Sequence, residues 1–258
     1  MSPRAGQLPA LIQNSLERMA TSMARALPKD LVSVVLYGSA VRGDWDAAYS
    51  DANVLVVLKE VTTSACEALM PALQDAQRDV LVRMDLTTQQ ELVRSADVFP
   101  LLLLDMQRAH EVLYGNNPLE EVEVAWHHLR LRVEQQTKRA LFTLRAQYIT
   151  YYQRPERLEE IIRASVGPLL SSMGALVYLR DPSWWVSGKA HIAQAAVEQL
   201  EVDEPLIRTL LSVARRQSHM SAREVRHLFD HVLALHEHIA RLVDIQQQSE
   251  LDATQEPG

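Results

Sequence analysis

Two apolar runs separated by a polar loop constrain this chain more than any other feature. Residues 31 to 37 read LVSVVLY and residues 52 to 58 read ANVLVVL. Each is short, rich in Val and Leu, and bounded by turn residues, so each is expected to be a buried β-strand. Gly38-Ser39 ends the first run, eleven residues intervene, and Asp51-Ala52-Asn53 opens the second. Side chains alternate across a strand, so Asp51 and Asn53 are expected on one face, with Ala52 and Val54 on the other.

The flanks fill out this unit. Leu8, Leu11, Ile12, Leu16, Met19, Met23 and Leu27 share one face of a helix that Pro28 ends. Residues 62 to 76 read as a second helix. Residues 79 to 86, DVLVRMDL, read as a third strand, and Thr88 with Glu91 forms a capping box for a short helix after it. After residue 117 helical spacing takes over. Long helices are expected around residues 127 to 152 and 157 to 179, with a kink at Pro168. Shorter ones follow over 189 to 200 and 204 to 217, and Ser221 caps a long last helix. The expected fold class is α+β: a small mixed β-sheet with flanking helices over residues 1–117, then an all-α helical bundle over 118–246 of four or five members, and a flexible tail over 247–258.

Composition bears on what such a chain can bind. The net charge is −7 over 258 residues, which argues against a dedicated nucleic-acid binder, since phosphate backbones demand a basic surface. The single cysteine, Cys66, excludes an intrachain disulfide and suits a reducing, cytoplasmic setting. The longest apolar cluster, VFPLLLL at 98 to 104, is too short to span a bilayer.

The loop chemistry is specific. Gly38 permits close approach of a backbone or a phosphate, the Ser39 hydroxyl can donate to a phosphate oxygen, and a helix starting at Ala40 and Val41 would add its positive end. Arg42 could supply a charge-assisted bond to the same anion. A pair of oxygen ligands at the Asp51/Asn53 spacing suits magnesium, which keeps substrate phosphates in its shell. A lone Gly-Ser is an ordinary turn; joined to Arg42-Gly43 and Ser50-Asp51 at this spacing, it points to a nucleotide site.

The stretches YGSAVRGD and SDANVLVV resemble the signature of the DNA-polymerase-β-like nucleotidyltransferase superfamily, and especially its small bacterial members akin to aminoglycoside adenylyltransferases. The resemblance covers roughly residues 31 to 115 and extends, in organisation, to the helical half. It implies transfer of a nucleoside monophosphate from ATP or another NTP to a hydroxyl of a small-molecule or protein acceptor, releasing pyrophosphate and using Mg2+. It implies that Gly38, Ser39, Arg42 and Ser50 hold the nucleotide, and that Asp51 ligates metal. Asn53 stands where a second metal-binding acid belongs. Asp85 is the best candidate for the third carboxylate, catalytic and metal-binding, ahead of Asp97 and Asp105. Asp85 could equally pair with Arg83 or cap the turn before Thr87.

Asn53 departs from that signature. An amide brings no charge and cannot act as a base. Three readings stay open: Asn53 serves a one-metal site, Asp44 or Asp46 compensates, or the protein is a catalytically inactive nucleotide-binding or regulatory member of the fold. The acceptor is expected between the α/β and helical halves. A further reading makes the helical half the functional part, as a homodimer interface or partner surface.

Other clusters have plainer explanations. His227 and His231 have zinc-compatible spacing but no Cys or Glu partner motif. Trp184-Trp185 could stack on a base or fill a gap. Arg130, Arg132, Lys138, Arg139 and Arg145 make one helix basic, with Glu134 interleaved as on a solvated face. Tyr148, Tyr151 and Tyr152 near its end suit a packed aromatic cluster or an acceptor pocket.

Overall fold

The computed structural model describes residues 8–43, 45, 51–184, 188–215 and 220–255. The chain divides into two compact units, Met1–Ala125 and Trp126–Gly258.

The first unit is built on four strands: β1 (Leu31–Tyr37), β2 (Ala52–Leu58), β3 (Val82–Thr88) and β4 (His110–Gly115). They lie in the order β3-β2-β1-β4. β1 is antiparallel to β2 and to β4, and β2 is parallel to β3, so the sheet is mixed. Helices α1 (Ala10–Ala26), α2 (Ser39–Arg42), α3 (Thr63–Ala76), α4 (Gln89–Arg94) and α5 (Pro100–Arg108) complete the unit. β1 and β2 are central strands, which explains why their sequences are apolar on both faces.

Alternation sorts their side chains. Val34, Leu36, Val54, Val56 and Leu58 share a core with Leu16, Met19 and Met23 of α1 and Leu69 of α3. Burying each of those α1 side chains stabilises the unit by about 1.5–3 kcal/mol. On the opposite face, Val35, Tyr37, Leu55 and Val57 pack with Leu92 of α4 and with Leu103 and Met106 of α5. Leu119 and Val122 join this second core, which carries the first unit to Ala125, past the boundary expected at 117.

Both expected central strands form with the expected ends, and β3 begins three residues later than the alternation suggested. Thr62 caps α3, and Thr88 with Glu91 forms the capping box on α4. β4 and α5 are elements that the pattern did not single out. β4 is a short edge strand, HEVLYG, pinned by the buried Ser33 hydroxyl, which donates to the carbonyls of Tyr114 at 3.0 Å and Asn116 at 2.7 Å.

The second unit holds α6 (Trp126–Tyr151), α7 (Pro155–Arg180), α8 (Lys189–Leu200), α9 (Glu204–Ala214) and α10 (Ala222–Gln255). α6, α7 and α10 pack on one another, while α8 and α9 pack on α7. α7 continues through Pro168, whose carbonyl accepts from Gln136 Nε2 at 2.8 Å. α7 is also long and apolar enough to cross a membrane by composition, but 56% of its most apolar stretch is buried within the protein, as in a core helix. Ser221 and Glu224 form the expected cap of α10. The tail expected from 247 is helical as far as Gln255: Gln, Glu, Leu and Ala favour the helix, and the first breaker is Pro257.

Candidate active site in the first unit

The site starts from Gly38. Its φ of 79° and ψ of −143° lie in a region essentially closed to side-chain-bearing residues. A Cβ there would come within 3.2 Å of Asn53 Nδ2. Glycine therefore lets the end of β1 close directly on the head of β2, and the Gly-Ser turn and the Asp-x-Asn segment meet in space. Gly38 does not offer its own N–H to a ligand, because that group donates to the Ala109 carbonyl at 3.2 Å. The bond ties the turn to the end of α5. Gly38 instead accepts from the N–H groups of Val41 and Arg42 at 3.1 and 3.0 Å. That leaves Ser39 and Ala40, the first two residues of α2, with N–H groups outside the helical ladder.

Asp51 directly precedes β2 and is half-buried. Asn53 follows two residues later, opposite Tyr37 on β1 and opposite Arg83 on β3. Arg83, Asn53 and Tyr37 thus form one row across three strands. Asp85 lies opposite Leu55, two residues further along β3 on the same face.

Asp85 is not joined to Arg83. Its Oδ2 instead accepts a short hydrogen bond from the Tyr37 hydroxyl. Since β2 lies between β1 and β3, the Tyr37 ring must pass over β2 to make it. Burial raises the Tyr37 pKa well above the ordinary phenol value, and the bond to the Asp85 carboxylate raises it further; Arg83 opposes both. At neutral pH Tyr37 is therefore a phenol donor, with Asp85 as its acceptor. Asp85 also lines a mostly apolar pocket of about 300 Å³ with Leu55, Thr87, Leu92, Phe99 and Met106.

The structure brings Gly38 against Asn53, with Ser39 to Arg42 following the turn as α2 and Asp51 directly preceding β2, and places Asp85 deeper on the sheet. A strand rises about 3.3 Å per residue and neighbouring strands lie about 4.8 Å apart. Asp85 stands four residues in register beyond Asp51, about 13 Å along the strand direction. Among the described residues, no three His, Cys, Asp or Glu side chains gather as a metal site. Ser50, Asp44 and Asp46 lie outside the described residues. Asp97 is exposed, and Asp105 faces Arg108 at 4.0 Å. Tyr37 is a residue that the sequence did not single out, and Arg83 entered there only as an ion-pair partner for Asp85. The parity of Tyr37 with Val35, and of Arg83 with Asp85, was available from alternation.

The remaining candidates have structural partners. Glu134 bridges Arg130 at 3.0 Å and Lys138 at 2.6 Å, and Lys138 also reaches Asp244 of α10 at 3.1 Å. The Lys138 hydrogen bond, ahead of that from Arg130, holds Glu134 below the usual carboxylate range. Tyr148 packs against Phe229, with ring centroids 5.0 Å apart, and against Tyr152 at 5.6 Å. His227 and His231 meet through their Nε2 atoms at 3.2 Å, with no third ligand among the described residues. Trp184 closes a turn on the Asp181 carbonyl at 3.0 Å, and Trp185 lies outside the described residues.

Residues 16–108 match the family model described as "Nucleotidyltransferase domain". Among solved structures, the chain is similar to the spectinomycin adenyltransferase AAD(9) from Enterococcus faecialis, solved with ATP and spectinomycin. Identity is 14%, the alignment covers 91% of this chain and 99% of that one, and the TM-score is 0.53. At that identity the likeness is one of fold, and it extends over the helical half. No functionally curated protein matches the sequence.

Proposed function

We propose that the protein transfers a nucleoside monophosphate from an NTP to a hydroxyl of a small acceptor, on the premise that residues 16–108, which match the nucleotidyltransferase domain model, keep that chemistry. The closure of the Gly38 turn onto Asn53 carries this reading, because it sets phosphate-binding groups beside the oxygen donors of β2. The N–H groups of Ser39 and Ala40, the Ser39 hydroxyl and Arg42 hold the triphosphate. Ser50 belongs to the same sequence motif.

Asp51 and Asn53 present a carboxylate and an amide oxygen, hard donors that fit one magnesium ion arriving with the nucleotide. They do not fit a paired-metal site, for which a second acid is missing. When bound, magnesium would offset the phosphate charge that resists attack. Asp85 faces the acceptor. Tyr37 occupies its Oδ2, which leaves Oδ1 to take the proton of the attacking hydroxyl. The acceptor oxygen bonds to the α-phosphorus, the bond to the leaving pyrophosphate breaks, and the proton rests on Asp85. The half-buried free thiol of Cys66 fits a cytoplasmic setting.

The solved adenyltransferase makes ATP the first nucleotide to test and spectinomycin the first acceptor. The assay is pyrophosphate release over a panel of NTPs and hydroxylated acceptors. Release by the native chain should vanish in Asp51→Ala and fall by about 10²–10⁴ in Asp85→Asn, the range for loss of a general base.

A second reading is favoured by one observation: the Asn53 amide is faced across the ladder by a cation, Arg83. On this reading the protein binds nucleotide as a regulatory member of the fold and turns none over. Tight NTP binding without pyrophosphate release, with turnover gained in Asn53→Asp, would establish it and remove the first.

A further inference from the structure

Asn53 has two direct neighbours in its row, Tyr37 on one side and Arg83 on the other. The position facing Asn53 across the β2–β3 ladder is where an acid would have to stand to share a cation with it most directly. That position is Arg83. The diagonal neighbour, Asp85, has one oxygen taken by the Tyr37 hydroxyl.

Arg83 is exposed and makes no salt bridge with any carboxylate among the described residues. Its charge nonetheless reaches into the site: after burial and Asp85 raise the Tyr37 pKa, Arg83 is the group that opposes them. Arg83 thus places a cation with a planar fork of donors on β3, directly across the ladder from the Asn53 that the Gly38 turn closes on. Such a fork suits phosphate oxygens better than it suits any neutral ligand.

We infer that Arg83 binds the triphosphate of the nucleotide, supplying from the protein the positive charge that a second metal would otherwise bring. This rests on nucleotide binding at the Gly38 turn. It goes further by making that binding largely independent of divalent cations. Asn53 and Arg83 then belong together: an acid at 53 would pair with Arg83 and neutralise it, whereas the amide leaves its charge for the phosphates.

The test is calorimetric titration of the full chain with ATP, once in excess magnesium and once in EDTA. The native protein is expected to bind in both, with affinity in EDTA within about tenfold of that in magnesium. Arg83→Ala should weaken binding in EDTA by about tenfold or more, as loss of a charge-assisted bond requires, and Arg83→Lys should recover part of the loss. Arg83 is exposed, so circular dichroism should show each variant folded. Binding by the native chain that EDTA abolishes, or an Arg83→Ala affinity equal to native in EDTA, overturns the inference while leaving the turn as the nucleotide site. No binding of any NTP in magnesium overturns the site reading itself, and Arg83 with it.

Discussion

Removing one oxygen atom, in Tyr37→Phe, isolates the contact on which the geometry of Asp85 depends. The ring stays, so packing against Val35, Leu55 and Val57 is kept. Only the hydrogen bond to Asp85 is lost. Bonds to charged groups contribute about 1.5–3 kcal/mol. Asp85 is half-buried and water can reach its freed oxygen, so the lower part of that range, about 1.5–2 kcal/mol, is expected.

The effect has a pH signature. The folded pKa of Tyr37 is raised above its unfolded value of about 10. Its contribution is therefore complete below about pH 10 and is lost as pH climbs toward the folded value. Urea unfolding should show native and Tyr37→Phe proteins separated at pH 7 to 9, the gap narrowing as the solution becomes more alkaline. An alkaline titration followed by tyrosinate absorbance gives a second readout. Of the seven tyrosines, one should ionise last in the native protein and be missing in the variant. Equal stability at pH 7, together with no late-titrating phenol, would refute the Tyr37–Asp85 bond and the role drawn from it.

Two further outcomes follow from individual residues. Gly38→Ala forces a side chain into a positive-φ conformation and against the Asn53 amide, at a cost of about 1–3 kcal/mol; thermal melting should fall and ATP affinity should fall with it. Burial lowers the pKa of His236, with the Val232 carbonyl acting against it, so the stability tied to its neutral form is present above about pH 6.5 and is lost as pH falls below that value. Acid unfolding of the second unit should accordingly shift to lower pH in His236→Gln.

The parts of the fold that were legible are those written in local pattern. β1 and β2 are unbroken Val and Leu runs between turn residues, and their ends were readable to the residue. The caps at Thr88 and Ser221 are set within three or four residues of sequence. β4 was not legible because it is a six-residue edge strand with His and Glu among its apolar residues, and its pairing partner β1 lies more than seventy residues earlier. For the site, alternation and spacing gave Gly38, Asp51 and Asn53. They could not give the strand order. Only the order β3-β2-β1 sets Arg83 opposite Asn53 and lets Tyr37 reach over β2 to Asp85. The Ala109 bond that takes up the Gly38 N–H was hidden for the same reason.

The most direct test of the site is where a nucleotide lands. Isotope-labelled protein titrated with ATP and magnesium should show its largest amide shifts at Ser39, Ala40 and Asn53, with smaller ones along β3 at Arg83. Shifts centred instead on the cavity of about 460 Å³ in the second unit, near Gln136 and His236, or no shifts at saturating ATP, would contradict the assignment of the Gly38 turn as the triphosphate site.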